Sequence, residues 1–404
     1  MMFLRRLKPY PYRTITTLLL LFICCDMNAQ IVLEQHHVDL SKGISLDLNI
    51  PKGYNIAVSA EGMHRLRFLA KSPDGQLFGT DMHNLSDNKQ GKIYLFEDWN
   101  DSAKRFNKKT VFAHDLHNPN QILFYTDKAT NYIYIAETDK LSRYEYHAGD
   151  KSLKGNGQVL MRLPDQGLDY KYGGWHLTRS LAQHNGKIYL SVGSSCNACI
   201  EKEDIRATVI EMNPDGNGQK IYATGVRNAV AIKWIDSTLW GTFMGRDLLG
   251  PDKPEDLFGT IKQGKNYGWP WYIQYQQKIY QDRTMIDSAK NSHIDIPKKP
   301  PIAYCGFKAH SAPLGFDRFT NFNDPQINGN FMVALHGSTS VWRQRGNAVV
   351  MVTGKDKYVE VLTNFLVGKK NKDRLGRPCD VMMNDANSFF ITDDKNGVLY
   401  YVWK

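Results

Sequence analysis

Short apolar strands recur along the chain, most of them preceded by a tight turn. Each copy ends with small residues. The six copies are Leu77-Phe78-Gly79-Thr80, Ile133-Tyr134-Ile135-Ala136, Ile188-Tyr189-Leu190-Ser191, Leu239-Trp240-Gly241-Thr242, Phe331-Met332-Val333-Ala334 and Phe389-Phe390-Ile391-Thr392. Turn residues followed by a short run of this kind are typical of β-strands. Since no stretch shows a sustained helical period, the pattern predicts an all-β fold.

The copies are evenly spaced. Between their first residues the intervals are 56, 55, 51, 92 and 58 residues. A period in the fifties is typical of one four-stranded blade, so the sequence predicts a six-bladed β-propeller of four-stranded antiparallel blades. Short strands also recur in β-sandwiches, but the even spacing favours the propeller. We further expect a strand near the N-terminus to complete the last blade and hide both sheet edges.

The one long interval contains a segment of unusual composition. Residues Gly264 to Pro313 are rich in Tyr, Trp, Gln and Pro. This composition predicts an elaborated loop region over one face of the propeller, and long ordered loops on a rigid scaffold often carry function.

The N-terminus has the pattern of an export signal. Basic residues precede the apolar run Ile15 to Cys25, and small residues follow it. This pattern predicts a signal peptide over residues 1–29, a mature domain over 30–404, and a periplasmic or extracellular location. The run has 11 residues, whereas a membrane span needs about 20, so a permanent anchor is disfavoured. Lipidation at Cys24 or Cys25 remains an alternative.

Charge and cysteine content limit the classes of partner and cofactor that the chain can bind. The net charge is +10, and loss of the signal's four basic residues and one acidic residue leaves +7. The cations are scattered, so nucleic acid is an unfavoured partner. Cys196 and Cys199 are close enough for a local disulfide, although connectivity cannot be deduced from sequence. A c-type haem site would need a histidine directly after Cys199, and Ile200 stands there, so covalent haem is excluded at this motif. A zinc site would need a second pair of ligands, which the isolated Cys305 and Cys379 do not supply. A redox role for the Cys196–Cys199 pair stays open.

Seven further motifs lie beside the repeated strands. They are Ile188 to Cys199 with Arg206-Ala207 downstream, Asn213-Pro214-Asp215-Gly216, Gly225-Val226-Arg227-Asn228, Asn266-Tyr267-Gly268-Trp269-Pro270, His310-Ser311-Ala312-Pro313-Leu314-Gly315, His336-Gly337-Ser338 and Gly376-Arg377-Pro378. In this order, from about Gly53 to Lys404, they resemble the sugar or sorbosone dehydrogenases that depend on pyrroloquinoline quinone (PQQ). The resemblance implies a six-bladed quinoprotein that uses PQQ and Ca²⁺, oxidises an aldose or related sugar, and passes electrons to an external acceptor.

The resemblance also implies catalytic residues. Sugar oxidation removes a hydroxyl proton and delivers a hydride to the quinone, so a neutral base must lie beside the cofactor. His176 lies where the family keeps its catalytic histidine. Arg227 and Asn228 match the segment that stabilises the quinone oxygens, although Ala229 replaces the usual proline. The alternative for Arg227 is a surface ion pair.

PQQ is a tricarboxylate, so its pocket is expected to hold several cations. Arg377 is the best candidate, and Arg374 lies three residues before it. His336 and Arg343 follow the fifth repeated strand and are assigned to the same pocket, with Arg345 as the weaker choice. A solvated loop charge is the alternative for each of these residues.

The calcium ion is expected at a loop after the fourth repeated strand. The corresponding residues are Gly245, Arg246 and Asp247. Backbone carbonyls suit this hard cation. The nearby Asp252, Glu255 and Asp256 either support a metal loop or form a solvated acidic loop.

The remaining motifs and functions leave alternatives. By the resemblance, the Cys196 to Cys199 pair is a structural disulfide beside the cofactor pocket. The aromatics of Asn266 to Trp271 stack on a sugar, cap the cofactor or pack in the core. A non-catalytic propeller that binds a ligand or protein is the main alternative function. A metal-dependent lactone hydrolase would need converging carboxylate or amide ligands, and no such set follows the repeated strands.

Overall fold

Each of the six repeated segments forms the second strand of a four-stranded antiparallel blade in the computed structural model, and the third blade gains a short fifth strand, Lys265–Asn266, that pairs parallel at its outer edge. The structure describes residues 31–41, 43–165, 176–337, 344–368 and 370–404. The predicted signal peptide and its cleavage position therefore lie outside the described residues. Within the described ranges, no helix has the length and apolarity that a membrane crossing requires.

The first half of the chain forms an N-terminal hairpin and three blades. The hairpin pairs β1 (Leu33–Leu40) with β2 (Ile44–Pro51), and β3 (Asn55–Ala60) follows. Blade 1 consists of β4 (Leu66–Lys71), β5 (Leu77–Asp81), β6 (Gly91–Asn100) and β7 (Arg105–Leu116). Blade 2 consists of β8 (Gln121–Asp127), β9 (Thr130–Ala136), β10 (Lys140–Glu145) and β11 (Gln158–Arg162). Blade 3 consists of β12 (Arg179–His184), β13 (Lys187–Val192), β14 (Thr208–Met212) and β15 (Lys220–Thr224).

The second half forms three more blades and the insertion. Blade 4 begins with β16 (Ala229–Ile235), β17 (Thr238–Phe243) and β18 (Asp256–Ile261). The insertion then contains β19 (Lys265–Asn266), β20 (Tyr272–Tyr275), β21 (Lys278–Gln281) and α1 (Arg283–Asn291), after which β22 (Cys305–Phe307) completes blade 4. Blade 5 consists of β23 (Pro313–Arg318), β24 (Phe331–Leu335), β25 (Ala348–Gly354) and β26 (Lys357–Leu362). A 3-10 turn (Asn371–Asp373) leads to blade 6, formed by β27 (Pro378–Asp385), β28 (Ser388–Asp393), β29 (Val398–Trp403) and β3.

Blade 6 closes the ring with strands from both ends of the chain. β29 pairs antiparallel with β3, from Leu399 opposite Ala60 to Trp403 opposite Asn55. The first strands of all six blades also contact their neighbours in a complete cycle, from β4 through β8, β12, β16, β23 and β27 back to β4. The six-bladed propeller and its closure by an N-terminal strand are therefore confirmed.

The insertion is more ordered than the sequence indicated. β20 and β21 form a separate hairpin, and α1 follows it directly. The side chain of Asp282 caps α1 by accepting a hydrogen bond from the Met285 amide at 3.3 Å. The buried face of α1 packs against Trp271. A nine-residue helix spans fewer than three turns, so its period is too short to stand out in the sequence.

We predict that Leu399→Ala weakens the fold at the ring closure. Leu399 is fully buried where β29 meets β3. Truncation leaves a cavity, so the free energy of unfolding from urea titration should fall by about 2–5 kcal/mol. The matched control is Val159→Ala, because Val159 is exposed on an outer strand and should change stability by less than about 0.5 kcal/mol. Equal effects of the two variants would contradict a closed ring.

Candidate active site

The loops that enter the first strands of blades 3 to 6 meet at one pocket. The predicted site residues that line it are His176, Arg227, Gly245, Arg246, Asp247, His336 and Arg377. They come from four blades and are separated by up to about two hundred residues of chain. His310, Asp256 and Leu85 also line this pocket.

Three predicted residues are not among the lining side chains. Asn228 is buried behind the wall, where its amide group lies 3.5 Å from the sulfur of Met244. Arg374 is also buried, and its guanidinium donates to the side chain of Gln344. Arg343 lies outside the described residues. The loop between blades 3 and 4 thus presents Arg227 to the pocket, while its neighbour Asn228 supports the wall.

His176 is held in a defined orientation. Its Nδ1 lies 2.9 Å from the Ser194 carbonyl oxygen and 2.9 Å from Ser194 Oγ. A carbonyl oxygen only accepts, so Nδ1 carries the proton and Nε2 is the ring nitrogen with the lone pair that base chemistry needs. A Cβ atom on Gly193 would come within 2.5 Å of His176 Cβ and 2.8 Å of Asn228 Oδ1. Glycine is therefore required there for the histidine to approach.

The electrostatics keep His176 neutral and Arg227 charged. Burial, with the positive charge of Arg227, lowers the pKa of His176 well below its usual value. Arg227 is 5% exposed, and burial lowers its pKa to about 10. Its Nε and Nη2 donate to the main-chain and side-chain oxygens of Asn197, both at 2.9 Å, and Asp247 lies 3.6 Å away. A neutral base thus stands beside a fixed cation.

Hydrogen bonds and an ion pair to neighbouring residues hold the segment assigned to calcium in place. The Gly245 amide donates to Asp256 at 2.7 Å, and Arg246 pairs with Asp282, the cap of α1, at 2.6 Å. The Asp247 carbonyl accepts from Asn197 Nδ2 at 3.1 Å and from Arg246 Nε at 3.3 Å. Both lone pairs of that carbonyl are therefore engaged, and a cation at this segment would take other oxygens.

The three acidic residues that follow do not converge on a common point. Asp252 pairs with Arg345. Glu255 accepts from Gln274 and from the Gln276 amide. Asp256 accepts from Gly245 and Ala312 amides, and burial raises its pKa to about 6. Asp256 therefore supports the Gly245 main chain, whereas Asp252 is exposed to solvent and pairs with Arg345.

A buried charge cluster forms the wall near blades 6 and 1. Its centre is Asp394, which is fully buried and accepts from His336 Nε2 at 2.8 Å and from Arg67 at 2.9 Å. Arg65 lies 3.3 Å away. Arg377 donates to the main-chain carbonyls of His336 and Gly337. The pKa of Asp394 is held well below its usual value by its cationic and hydrogen-bonding neighbours, which outweigh its burial.

Sequence reasoning missed Asp394, Arg65 and Arg67. Asp394 follows the sixth repeated strand directly, and Arg67 interrupts the apolar strand β4. A charged residue within an apolar strand is the signal that could have identified Arg67, because such residues are rarely buried without a partner. Arg65 and Asp394 lie just outside strands and carry no such signal.

Cys196 and Cys199 form a disulfide, with a sulfur–sulfur distance of 1.98 Å. Together with Glu201 they are the only group of three or more His, Cys, Asp or Glu ligands that converge within the described ranges. The disulfide occupies both thiols, so this group is not a thiolate metal centre.

Fold and pocket together define a class: a closed six-bladed propeller with an axial, arginine-lined pocket and a neutral histidine at its edge. The model of the family described as Glucose / Sorbosone dehydrogenase matches residues 109–400. The chain belongs to this family.

Individual relatives are distant. A curated protein of Borreliella burgdorferi, described as an uncharacterized protein, is 26% identical over 385 residues, which cover 89% of this chain and 92% of that protein. The PQQ domain of Coprinopsis cinerea pyranose dehydrogenase is 16% identical with a TM-score of 0.69, covering 89% of this chain and 97% of that one. The soluble aldose sugar dehydrogenase of Escherichia coli is 15% identical with a TM-score of 0.56, covering 86% and 99%. These structures share the fold.

We predict that His176 makes stability depend on pH. The folded protein keeps this side chain neutral, whereas the unfolded chain protonates it below about pH 6.5. Stability is therefore lost as pH falls, by about 2 kcal/mol between pH 7 and pH 5 from this group alone. Urea unfolding at both pH values should show that His176→Gln loses about that much less than the wild type. Identical losses would mean that His176 is protonated in the folded state.

Proposed function

We propose that this protein is a PQQ-dependent dehydrogenase that oxidises an aldose or related sugar and passes the electrons to an external acceptor. The observation that carries the proposal is the joint position of His176, Arg227 and Arg377 at one pocket, in a chain of the glucose and sorbosone dehydrogenase family. We further propose that residues 1–29 direct export, so that the enzyme acts in the periplasm or outside the cell.

The side chains of the pocket suit PQQ. Arg227, Arg246 and Arg377 are among the residues that line it, and a tricarboxylate needs such cations around it. His336, whose main-chain oxygen accepts a hydrogen bond from Arg377, is neutral because burial lowers its pKa to about 3. It therefore lines the pocket as a polar group and not as a cation. A structure of the Coprinopsis cinerea domain is described as its holo form. When bound, PQQ supplies the quinone that accepts the hydride.

His176 then acts as the base. Ser194 holds its Nδ1–H, so Nε2 takes the proton from the sugar hydroxyl while the carbon–hydrogen bond breaks. Arg227 and Arg246 line the same pocket and would supply positive charge to an acceptor that gains negative charge. Since both arginines are already anchored, by Asn197 and Asp282 respectively, little reorganisation is needed during the reaction.

Calcium is the second proposed cofactor. Gly245, Arg246 and Asp247 line the pocket, and one structural neighbour, a carbohydrate-active enzyme of Trichoderma reesei, is described as a calcium structure. With the Asp247 carbonyl engaged, the ion would take the main-chain oxygens of Gly245 and Arg246 together with the Asp247 carboxylate.

We predict that His176→Ala loses turnover by a factor of about 10² to 10⁴ while PQQ binding is kept, because the variant lacks the base but retains the arginines. The measurement is dye reduction with a panel of aldoses after PQQ and calcium are added, alongside PQQ absorbance. The control is His147→Ala, whose histidine is exposed on blade 2 and whose loss should leave turnover unchanged.

The wild-type protein provides the test of the proposal itself. If it neither binds PQQ nor reduces the dye with any aldose, the dehydrogenase proposal is wrong, and a propeller that binds a ligand without redox chemistry is favoured. Unchanged turnover in His176→Ala would instead assign the base to another group.

We predict that calcium removal is reversible. Dialysis against EDTA should abolish dye reduction, and Ca²⁺ should restore it better than Mg²⁺, because main-chain oxygens on a loop suit the larger and more flexible coordination shell. Dye reduction that persists in EDTA, in protein from which metal analysis finds calcium removed, would contradict a role for the ion.

A further inference from the structure

One side chain connects the catalytic arginine to the segment assigned to calcium. Asn197 lies inside the loop that the Cys196–Cys199 disulfide closes, and its side chain forms hydrogen bonds to both Arg227 and Asp247. We propose that Asn197 is a positioning residue that fixes the Arg227 guanidinium and the Gly245–Asp247 segment relative to each other. The inference rests on the proposed function, in which Arg227 stabilises developing charge.

Asn197 holds Arg227 at two points. Its main-chain oxygen accepts from Arg227 Nε, and its side-chain oxygen accepts from Arg227 Nη2, each at 2.9 Å. Two parallel acceptors from one residue fix the plane of a guanidinium group as a carboxylate does, but without adding a negative charge. The cation is therefore oriented without being neutralised. Its ion pair with Asp247 is longer, at 3.6 Å.

Asn197 also holds the main chain of Asp247. Its side-chain oxygen accepts from the Asp247 amide at 2.8 Å, and its Nδ2 donates to the Asp247 carbonyl at 3.1 Å. The amide group thus pairs with both polar groups of one residue, as a neighbouring strand would. Because the same oxygen serves Arg227 and Asp247, a shift of one partner displaces the other.

The disulfide loop fixes the position of Asn197. Cys196 is buried against Ala207 and Trp269, and Cys199 packs at the same cluster. The indole nitrogen of Trp269 also lies 3.2 Å from the Asn197 carbonyl oxygen. A short closed loop has few alternative conformations, so the asparagine is held before any ligand arrives.

Asparagine is the side chain that meets these requirements. The substitution Asn197→Asp would keep the acceptors but remove the donor to the Asp247 carbonyl, and it would place a negative charge beside Asp247. Alanine would lose every side-chain contact but keep the main-chain oxygen. These differences allow the Arg227 contact to be separated from general stability.

The test uses the reconstituted full chain with Asn197→Ala, Asn197→Asp, Arg227→Lys and the double variant Asn197→Ala/Arg227→Lys. Asn217→Ala is the control, because Asn217 is an exposed asparagine that also bonds an aspartate, Asp215. We expect Asn197→Ala to lower turnover about 10- to 100-fold with little change in melting temperature. We expect Asn197→Asp to lower turnover as well, because its carboxylate would neutralise Arg227, repel Asp247 and lack the donor to the Asp247 carbonyl.

The double variant separates positioning from structure. If Asn197 acts through Arg227, its removal in the Arg227→Lys background should cost less than about threefold, because coupled residues are not additive. A full and additive loss in that background would overturn the proposal, and so would wild-type turnover in Asn197→Asp.

A second measurement requires no activity. Amide hydrogen exchange of a peptide covering Gly245 to Asp247 should be at least about tenfold faster in Asn197→Ala and, to a smaller extent, in Cys196→Ser/Cys199→Ser, because the Asp247 amide loses its fixed acceptor. Unchanged exchange in Asn197→Ala would overturn the inference even if the wild type is active. A wild type without turnover, in contrast, would overturn the proposed function and leave the exchange result to decide the role of Asn197.

Discussion

The pairing of β3 with β29 is the contact on which the rest of the structure depends. It joins residues 55–60 to residues 399–403, so the two ends of the domain complete one sheet. A propeller without this pairing would expose two strand edges, and each blade would be free to tilt. Because the ring is closed, the loops before β12, β16, β23 and β27 open toward one axis, and side chains from distant parts of the chain share one pocket.

The closed ring also makes buried charge tolerable near the axis. Asp394 is fully buried, yet His336, Arg67 and Arg65 surround it. Removing such groups from water is costly unless each is paired and hydrogen-bonded. The neighbouring blades supply these partners, so the buried charge is paired within the protein. Three arginines consequently line the pocket together with Asp247 and Asp256, while burial keeps the His176 side chain neutral.

Local features could be predicted from the sequence. The repeated strands, their period and the closure by an N-terminal strand depend on alternating side chains and turn residues, which neighbouring positions encode. The order of motifs led to His176, Arg227 and Arg377, and these residues share the pocket. Asn228 was expected beside them, but the chain bends at Arg227 before β16 begins, and the structure directs Asn228 into the wall.

The amino-acid pattern was enough to predict the six-bladed propeller, the place of its six repeated strands along the chain, and the family that the motifs resemble, whereas each observed strand begins or ends at a different residue from the predicted segment. Which buried polar groups pair with each other depends on how the blades and loops pack. Asp394 with Arg67, Arg246 with Asp282, and Asn197 with Arg227 are pairs between different blades or loops. The spacing of these residues along the chain does not predict their pairing. A buried charge is costly when it is unpaired, and its partner is whichever group the closed ring brings close to it.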